Sequence, residues 1–429
     1  MSNAIWLAAL VLVYGILSRR LSTTIVTGPI VFTAFGLIMG AAGLGLIDLS
    51  LETETITVIG EVTLVLVLFT DAARIDIPRL RTQAALPLRM LASLPLVIAL
   101  GGAIAMLVFP DLELFTAGVL GAVLAPTDAT LGQVVVTDDR IPVRIRQTLN
   151  VESGLNDGIV LPFVTILLSL AGAQDGVESV GTALAFVGGQ IGYALLIGVG
   201  IGCAAAYAVD WASERGWMTK GYQQLATLAV ALMIFGLSEA VGGNGFIAAF
   251  VGGLAFGSLA SHRLDELYEF AEQEGALLTV VIFVILGASL VPDLITGLDL
   301  RTAAYVVLSL TVVRMVPIAL SLLGTGLRAS SVAFLAWFGP RGLATILFGL
   351  LVVEQADLEQ GSQILSIALW TVLASVVAHG LSAVPLVGLY TRSLHSVTTE
   401  EEDMAEMQEM TEFPTRVPGG MESSGEVKA

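Results

Sequence analysis

Eight ionisable side chains sit in stretches of this sequence that are otherwise apolar: Glu61, Asp71, Asp128, Glu152, Asp157, Glu239, Arg314 and Arg341. Six acids against two bases leave a surplus of negative charge, which suits a cation, either a proton or a metal ion. The densest group is Asn150-Val-Glu-Ser-Gly-Leu-Asn-Asp-Gly158. At 3.6 residues per turn, Ser153 and Asp157 share one helical stripe, and Glu152 and Asn156 share the next. One stripe thus carries a carboxylate with a hydroxyl, the other a carboxylate with an amide, and hard cations take oxygen ligands of these kinds. A polar cap at a helix start is the plainer reading. The long apolar run after the group argues against it.

Two further segments interrupt apolar runs. Leu124-Ala-Pro-Thr-Asp-Ala129 and Trp337-Phe-Gly-Pro-Arg-Gly-Leu343 each hold a proline, which removes a backbone donor and disturbs the preceding turn. Pro126 and Pro340 lie 214 residues apart in a chain of 429. Interrupted helices at matching positions of two halves point to the binding site of an inverted-repeat transporter.

The elements that must hold these groups follow from composition. Hydrophobic residues make up 55% of the chain and charged residues 13%, and mean hydropathy is +0.88. Soluble domains carry about a quarter charged residues, so a soluble enzyme and a nucleic-acid binder are excluded. The single cysteine, Cys203, rules out an internal disulfide. Apolar runs predict an all-α polytopic membrane protein of about thirteen spans, over 4–17, 24–42, 56–72, 84–109, 114–136, 148–171, 181–209, 223–241, 245–259, 276–291, 302–323, 330–353 and 364–389. These make one transmembrane domain, 1–392. Sixteen of the nineteen Lys and Arg follow odd-numbered spans. The positive-inside rule then puts the N-terminus outside and the C-terminus in the cytoplasm. Loops after even-numbered spans hold twelve carboxylates, from Asp48 to Glu359. The polar stretch 393–429 has nine acids from Glu400 onward against two bases, and too little of it is apolar to fold alone, so it is expected to be a disordered acidic tail.

The motifs Ala125-Pro-Thr-Asp128, Glu152-Ser-Gly-Leu-Asn-Asp157 and Gly339-Pro-Arg-Gly342 resemble the signatures of the monovalent cation/proton antiporters. The branch is the one with an Asn-Asp pair, typified by the NhaP-type sodium/proton antiporters. Phe246-Ile-Ala-Ala-Phe-Val-Gly-Gly253 and Phe283-Val-Ile-Leu-Gly287 add to the likeness, which runs from about Ile5 to Leu389. The resemblance implies two inverted six-helix repeats whose interrupted helices cross at the membrane midplane, forming a dimer domain and a mobile core domain. It further implies a homodimer in the inner cell membrane that exchanges sodium or lithium for protons, with no cofactor. By match, Asp157 binds cation or proton, with Ser153 and the Thr127 main chain as further ligands. Asp71 contributes to the ion site, although relatives usually carry Glu there. Glu152 pairs with Arg341, Asn156 holds the broken helix, and Asp128 offsets the positive ends of the interrupted helices.

A buried carboxylate that cannot stay bare supplies exchange, because it must hold a proton or a cation but not both. With Asn156 beside Asp157, one titrating carboxylate remains at that pair, and electroneutral one-for-one exchange is expected. Potassium/proton exchange, exchange of sodium and potassium alike, and a cation channel remain alternatives. An intramembrane enzyme lacks its usual motifs here. Arg314 is expected to tie carbonyls or an acid across helices, with Glu61 a candidate. Glu239 reads as a rim residue, His379 as a satisfied structural group, and Gly198 and Gly202 as close helix packing.

Overall fold

In the computed structural model, residues 2–21, 24, 26–47, 53–75, 85–128, 131–174, 180–259, 277–294, 298–355, 358–395 and 405–408 are described. Among them every regular element is helical. The chain runs through α1 (Ser2–Leu21), α2 (Gly28–Met39), α3 (Thr53–Ala73), α4 (Ala85–Ala92), α5 (Leu94–Val108), α6 (Leu114–Val123), α7 (Gln133–Val136) and α8 (Val143–Gln174). It continues through α9 (Val180–Glu214), α10 (Lys220–Ala240), α11 (Gly245–Leu259), α12 (Leu277–Leu290), α13 (Leu300–Ser321), α14 (Ala329–Trp337), α15 (Leu343–Gln355) and α16 (Gly361–His395). Seven helices among the described residues are long and apolar enough to cross a membrane, and shorter apolar helices accompany them. The loop charges Asp48, Glu52, Arg79, Arg81, Asp175, Glu178, Arg263 and Asp357 lie outside the described residues.

Between lipid-exposed helices burial of apolar surface drives little, and close approach of backbones drives more. The small residues show where this happens. A Cβ on Gly198 would lie 2.6 Å from the Ala248 carbonyl oxygen, and one on Gly202 would lie 2.5 Å from that of Gly252. α9 therefore lies directly on α11. On its other side α11 meets α3, where a Cβ on Gly253 would come within 2.3 Å of the Phe69 carbonyl oxygen. Thus α11 is wedged, and α3 and α8 pack beside it. α1 by contrast is scarcely buried, with Leu12 and Ile16 exposed.

Helix irregularities cluster around the ionisable groups. The span expected over 114–136 breaks after Val123, and that over 330–353 breaks between Trp337 and Leu343. Two π-helical turns appear, Leu286–Leu290 closing α12 and Ser309–Val313 within α13, just before Arg314. Such turns are rare and concentrate at functional sites. α8 is continuous, yet it contains Pro162, which has no N–H to offer the Gly158 carbonyl one turn earlier.

The disorder expected for 393–429 does not hold throughout. Ser393, Leu394 and His395 extend α16, and Ala405–Met407 form a short 3-10 turn with Glu406 buried. The reason is local: Glu406 finds partners on the helix bundle that a free tail would lack. The rest of that stretch lies outside the described residues.

Candidate ion site

The site is built where two backbone interruptions meet one continuous helix. After Val123 the chain leaves helix and runs without regular structure from Ala125 to Asp128. The second interruption, Gly339-Pro-Arg-Gly342, lies against it. The Asp128 N–H donates to the Pro340 carbonyl at 2.8 Å, and the Leu343 N–H donates to Asp128 Oδ2 at 3.1 Å. Asp128 therefore puts a carboxylate at the first turn of α15, where four backbone N–H groups lack helical partners and the dipole is positive. Arg341 Nη1 donates to the carbonyls of Ala125 and Pro126, the latter at 3.0 Å. These are the acceptors that the first interruption frees.

Each residue of the second motif has a steric or bonding reason. A Cβ on Gly342 would sit 2.3 Å from Asp128 Oδ2, so only glycine lets that carboxylate close in. A Cβ on Gly339 would sit 2.3 Å from Arg314 Nε. Gly339→Ala is accordingly expected to dislodge the Arg314 guanidinium and lower stability by about 1–3 kcal/mol, as overpacking does. Thermal unfolding in detergent checks this. Gly154→Ala, on α8 where nothing lies within 4 Å of a new Cβ, is the near-neutral control.

From α16, Ser375 and His379 grip the second interruption at both ends. Ser375 Oγ accepts from the Arg341 N–H at 2.7 Å, and His379 Nε2 faces the Trp337 carbonyl at 3.0 Å. Nδ1 of His379 lies 3.1 Å from Ser375 Oγ, one helical turn away. The histidine is buried and bonded at both ring nitrogens.

α8 supplies the polar stripes. Ser153 Oγ donates to the Thr127 carbonyl at 2.8 Å, which joins the first of these stripes to the interruption. Asp157 lies one turn further along the same helix and is 5% exposed. On the adjacent stripe Asn156 Nδ2 donates to Thr127 Oγ1 at 2.5 Å and to Glu152 Oε1 at 3.4 Å. Asn156 Oδ1 is buried without a hydrogen-bond partner, an oxygen dipole left over in the site. Thr127 Oγ1 also donates to Glu152 Oε2 at 3.2 Å.

The pairing of Glu152 with Arg341 is corrected. Arg314 takes that place, with Nη1 2.7 Å from Oε1 and Nη2 3.1 Å from Oε2, a two-pronged ion pair that is 1% exposed on both sides. Arg341 is spent on the Ala125 and Pro126 carbonyls instead. The partner of Arg314 is thus Glu152 and not Glu61. The signal for it was present, an arginine inside an apolar run, but its direction depends on the π turn before it. Asp71 is buried on α3 with Arg74 Nη1 3.8 Å away, one turn further on. Glu239 accepts from the Gly245 N–H at 2.7 Å and so caps the start of α11. A small opening lined by Thr127, Asp128, Ser153, Leu149, Phe338 and Pro340, with room for about one water molecule, lies beside the junction of Thr127 with Ser153.

Comparison with known proteins agrees with this architecture. The family model described as sodium/hydrogen exchanger, transmembrane, matches residues 7–388. The chain belongs to this family. It is a multi-pass membrane protein of a transporter family. Among relatives, a K(+)/H(+) antiporter NhaP of Alkalimonas amylolytica is 26% identical over 387 residues, 87% of this chain and 64% of the relative. A K(+)/H(+) antiporter NhaP2 of Shewanella sp. (strain MR-4) is 24% identical, covering 88% of this chain and 64% of its own length. The chain therefore spans about 64% of the length of these relatives. The fold is that of the sodium proton antiporter MjNhaP1 from Methanocaldococcus jannaschii, with a TM-score of 0.73 at 19% identity, over 92% of this chain and 98% of that one.

Proposed function

We propose that this member of the family exchanges a monovalent cation, sodium or lithium, for protons by alternating access, with Asp157 holding one or the other. The observation that carries the reading is the junction at Thr127. Its carbonyl meets the Ser153 hydroxyl one turn below Asp157, while the interruption it belongs to is bonded to the second one through Asp128 and Pro340. Irregular backbone at membrane depth is tolerated where it lines a cavity, and freed carbonyls with a nearby carboxylate suit a hard cation. Ser153, the Thr127 main chain and Asp71 are the further ligands of this proposal. Asn156, Asp128, Glu152, Arg314 and Arg341 hold the geometry.

An empty, charged Asp157 is too costly to carry through the bilayer core, so movement requires an occupant and exchange is coupled. With Glu152 neutralised by Arg314 and an amide at Asn156, one proton leaves for each cation, and transport is electroneutral. Potassium in place of sodium is the second reading, favoured by the names of the Alkalimonas and Shewanella relatives. We place the N-terminus outside and the C-terminus in the cytoplasm, in keeping with the arginines at Arg19, Arg20, Arg140, Arg144, Arg146, Arg328 and Arg392. The exposed apolar faces of α1 and α9, with Leu12, Ile16, Phe186 and Leu196, meet lipid or a second copy in a homodimer.

The deciding experiment measures proton flux in sealed proteoliposomes after separate pulses of sodium, lithium and potassium. Sodium and lithium are expected to drive proton movement that a clamped voltage leaves unchanged. A response to potassium alone selects the second reading. Flux that scales with voltage and needs no counter-ion removes exchange altogether.

A further inference from the structure

The end of the bundle that carries the start of α8, the start of α14 and the end of α16 holds a seat for a carboxylate, and the chain's own tail fills it. Glu406 Oε1 accepts from the Arg328 N–H at 2.8 Å and from Ser331 Oγ at 2.7 Å. Arg328 is the residue that precedes the first turn of α14, so the carboxylate sits at a helix N-terminus and satisfies one of its free donors. Ser331 Oγ in turn lies 3.1 Å from Tyr390 Oη on α16, and the Tyr390 ring stacks on Phe334 with centroids 4.3 Å apart. Next to Glu406, the Ala405 carbonyl accepts from Arg144 Nη1 in the first turn of α8. Glu406 is 1% exposed although it belongs to a polar stretch. Burial of a carboxylate without compensation is costly, so this turn rests in a formed site.

Charge favours the same arrangement. Arg140 and Arg146 at this end are matched by Asp138 and Asp139, whereas Arg144 turns to the tail. From Glu400 onward the chain has nine acids against two bases.

We propose that the ends of α8, α14 and α16 form a receptor for the acidic segment around Glu406, and that seating this segment slows exchange. The slowing rests on the exchange function proposed above. α8 contributes Leu149 and α14 leads into Phe338, and both line the opening that reaches Thr127 and Ser153. Through Arg144, Arg328 and Ser331 the seated turn ties these two arms together. Cation and proton then reach the crossing through a held mouth. Release of Glu406 frees the arms.

A cross-link in the full chain tests both parts. A Cβ on Gly326 would lie 3.6 Å from the Ala405 Cβ, within the span of a disulfide. With Cys203 replaced by Ala, the pair Gly326→Cys and Ala405→Cys is expected to form a disulfide within one chain under mild oxidation, and neither single cysteine does. In proteoliposomes the oxidised protein should exchange about fivefold more slowly than the reduced one, a coupling of ordinary size. Because Gly326 has a φ of +77°, where a side chain is strained, Glu406→Gln provides a second variant. It should exchange faster than the parent at equal protein content and lower the yield of the disulfide. Absence of the disulfide in folded protein overturns the receptor, and a disulfide only between copies overturns its filling by the chain's own tail. Equal rates for oxidised, reduced and Glu406→Gln protein overturn the slowing. A disulfide that forms in protein showing no cation-dependent proton flux at all overturns the exchange reading while the seat itself stands.

Discussion

Asp157→Asn is expected to leave the protein folded and to abolish cation-dependent proton flux. The substitution keeps the shape and removes the charge, so helix packing around Gly158 and Phe250, where a Cβ would come within 2.2 Å of the ring, is undisturbed. What disappears is the one property exchange needs, a group that must be covered by a proton or a cation. Two measurements separate this from general damage. Thermal unfolding in the absence of sodium should match the parent, while the rise in Tm expected for the parent in saturating sodium should be missing, since a ligand stabilises only the state it binds. Retained flux would assign the exchange to another carboxylate, and Asp71 would be the first to test.

The second large effect concerns the Glu152–Arg314 pair. Glu152→Gln and Arg314→Met, made singly, each strand a buried charge and should destabilise by about 3–5 kcal/mol. Made together they leave no charge behind, so the double variant should be clearly more stable than the sum of the two losses. Glu152 also accepts from Thr127 and Asn156, so the double variant should still lose some order at the interruption and bind cation more weakly. A double-mutant cycle on Tm and on apparent cation affinity reads both. Additive losses would mean that the two side chains act independently. Arg341→Met paired with Glu152→Gln is the informative control: Arg341 bonds the Ala125 and Pro126 carbonyls and not the carboxylate, so that cycle should show a clearly smaller coupling than the Arg314 cycle.

Much of this architecture can be read from residue order because the membrane enforces it. Apolar length demands helices, and Pro126 and Pro340 mark where they break. The Ser153/Asp157 and Glu152/Asn156 stripes follow from helical periodicity, and they need only a continuous α8 to stand as they do. The meeting of the two interruptions is harder to see. It depends on how Gly339 and Gly342 let Arg314 and Asp128 approach, and a glycine's neighbours are set by helices distant in sequence. The partner of Glu152 is hidden for a related reason. Arg314 and Arg341 are both arginines in apolar runs, and only tertiary geometry tells them apart. Glu406 is hidden in the opposite way. It is one acid among nine in a polar tail, and nothing local distinguishes the one that finds a helix end.

The π turn over Ser309–Val313 carries a consequence for how this ion pair is aimed. Such a turn amounts to one surplus residue in an α-helix, and one residue corresponds to about 100° of rotation about the axis. Arg314 follows it immediately, so its azimuth is a matter of phase rather than of side-chain choice. Wound as a regular α-helix, the same sequence would carry the guanidinium about a quarter-turn off Glu152 without altering any charge in the protein.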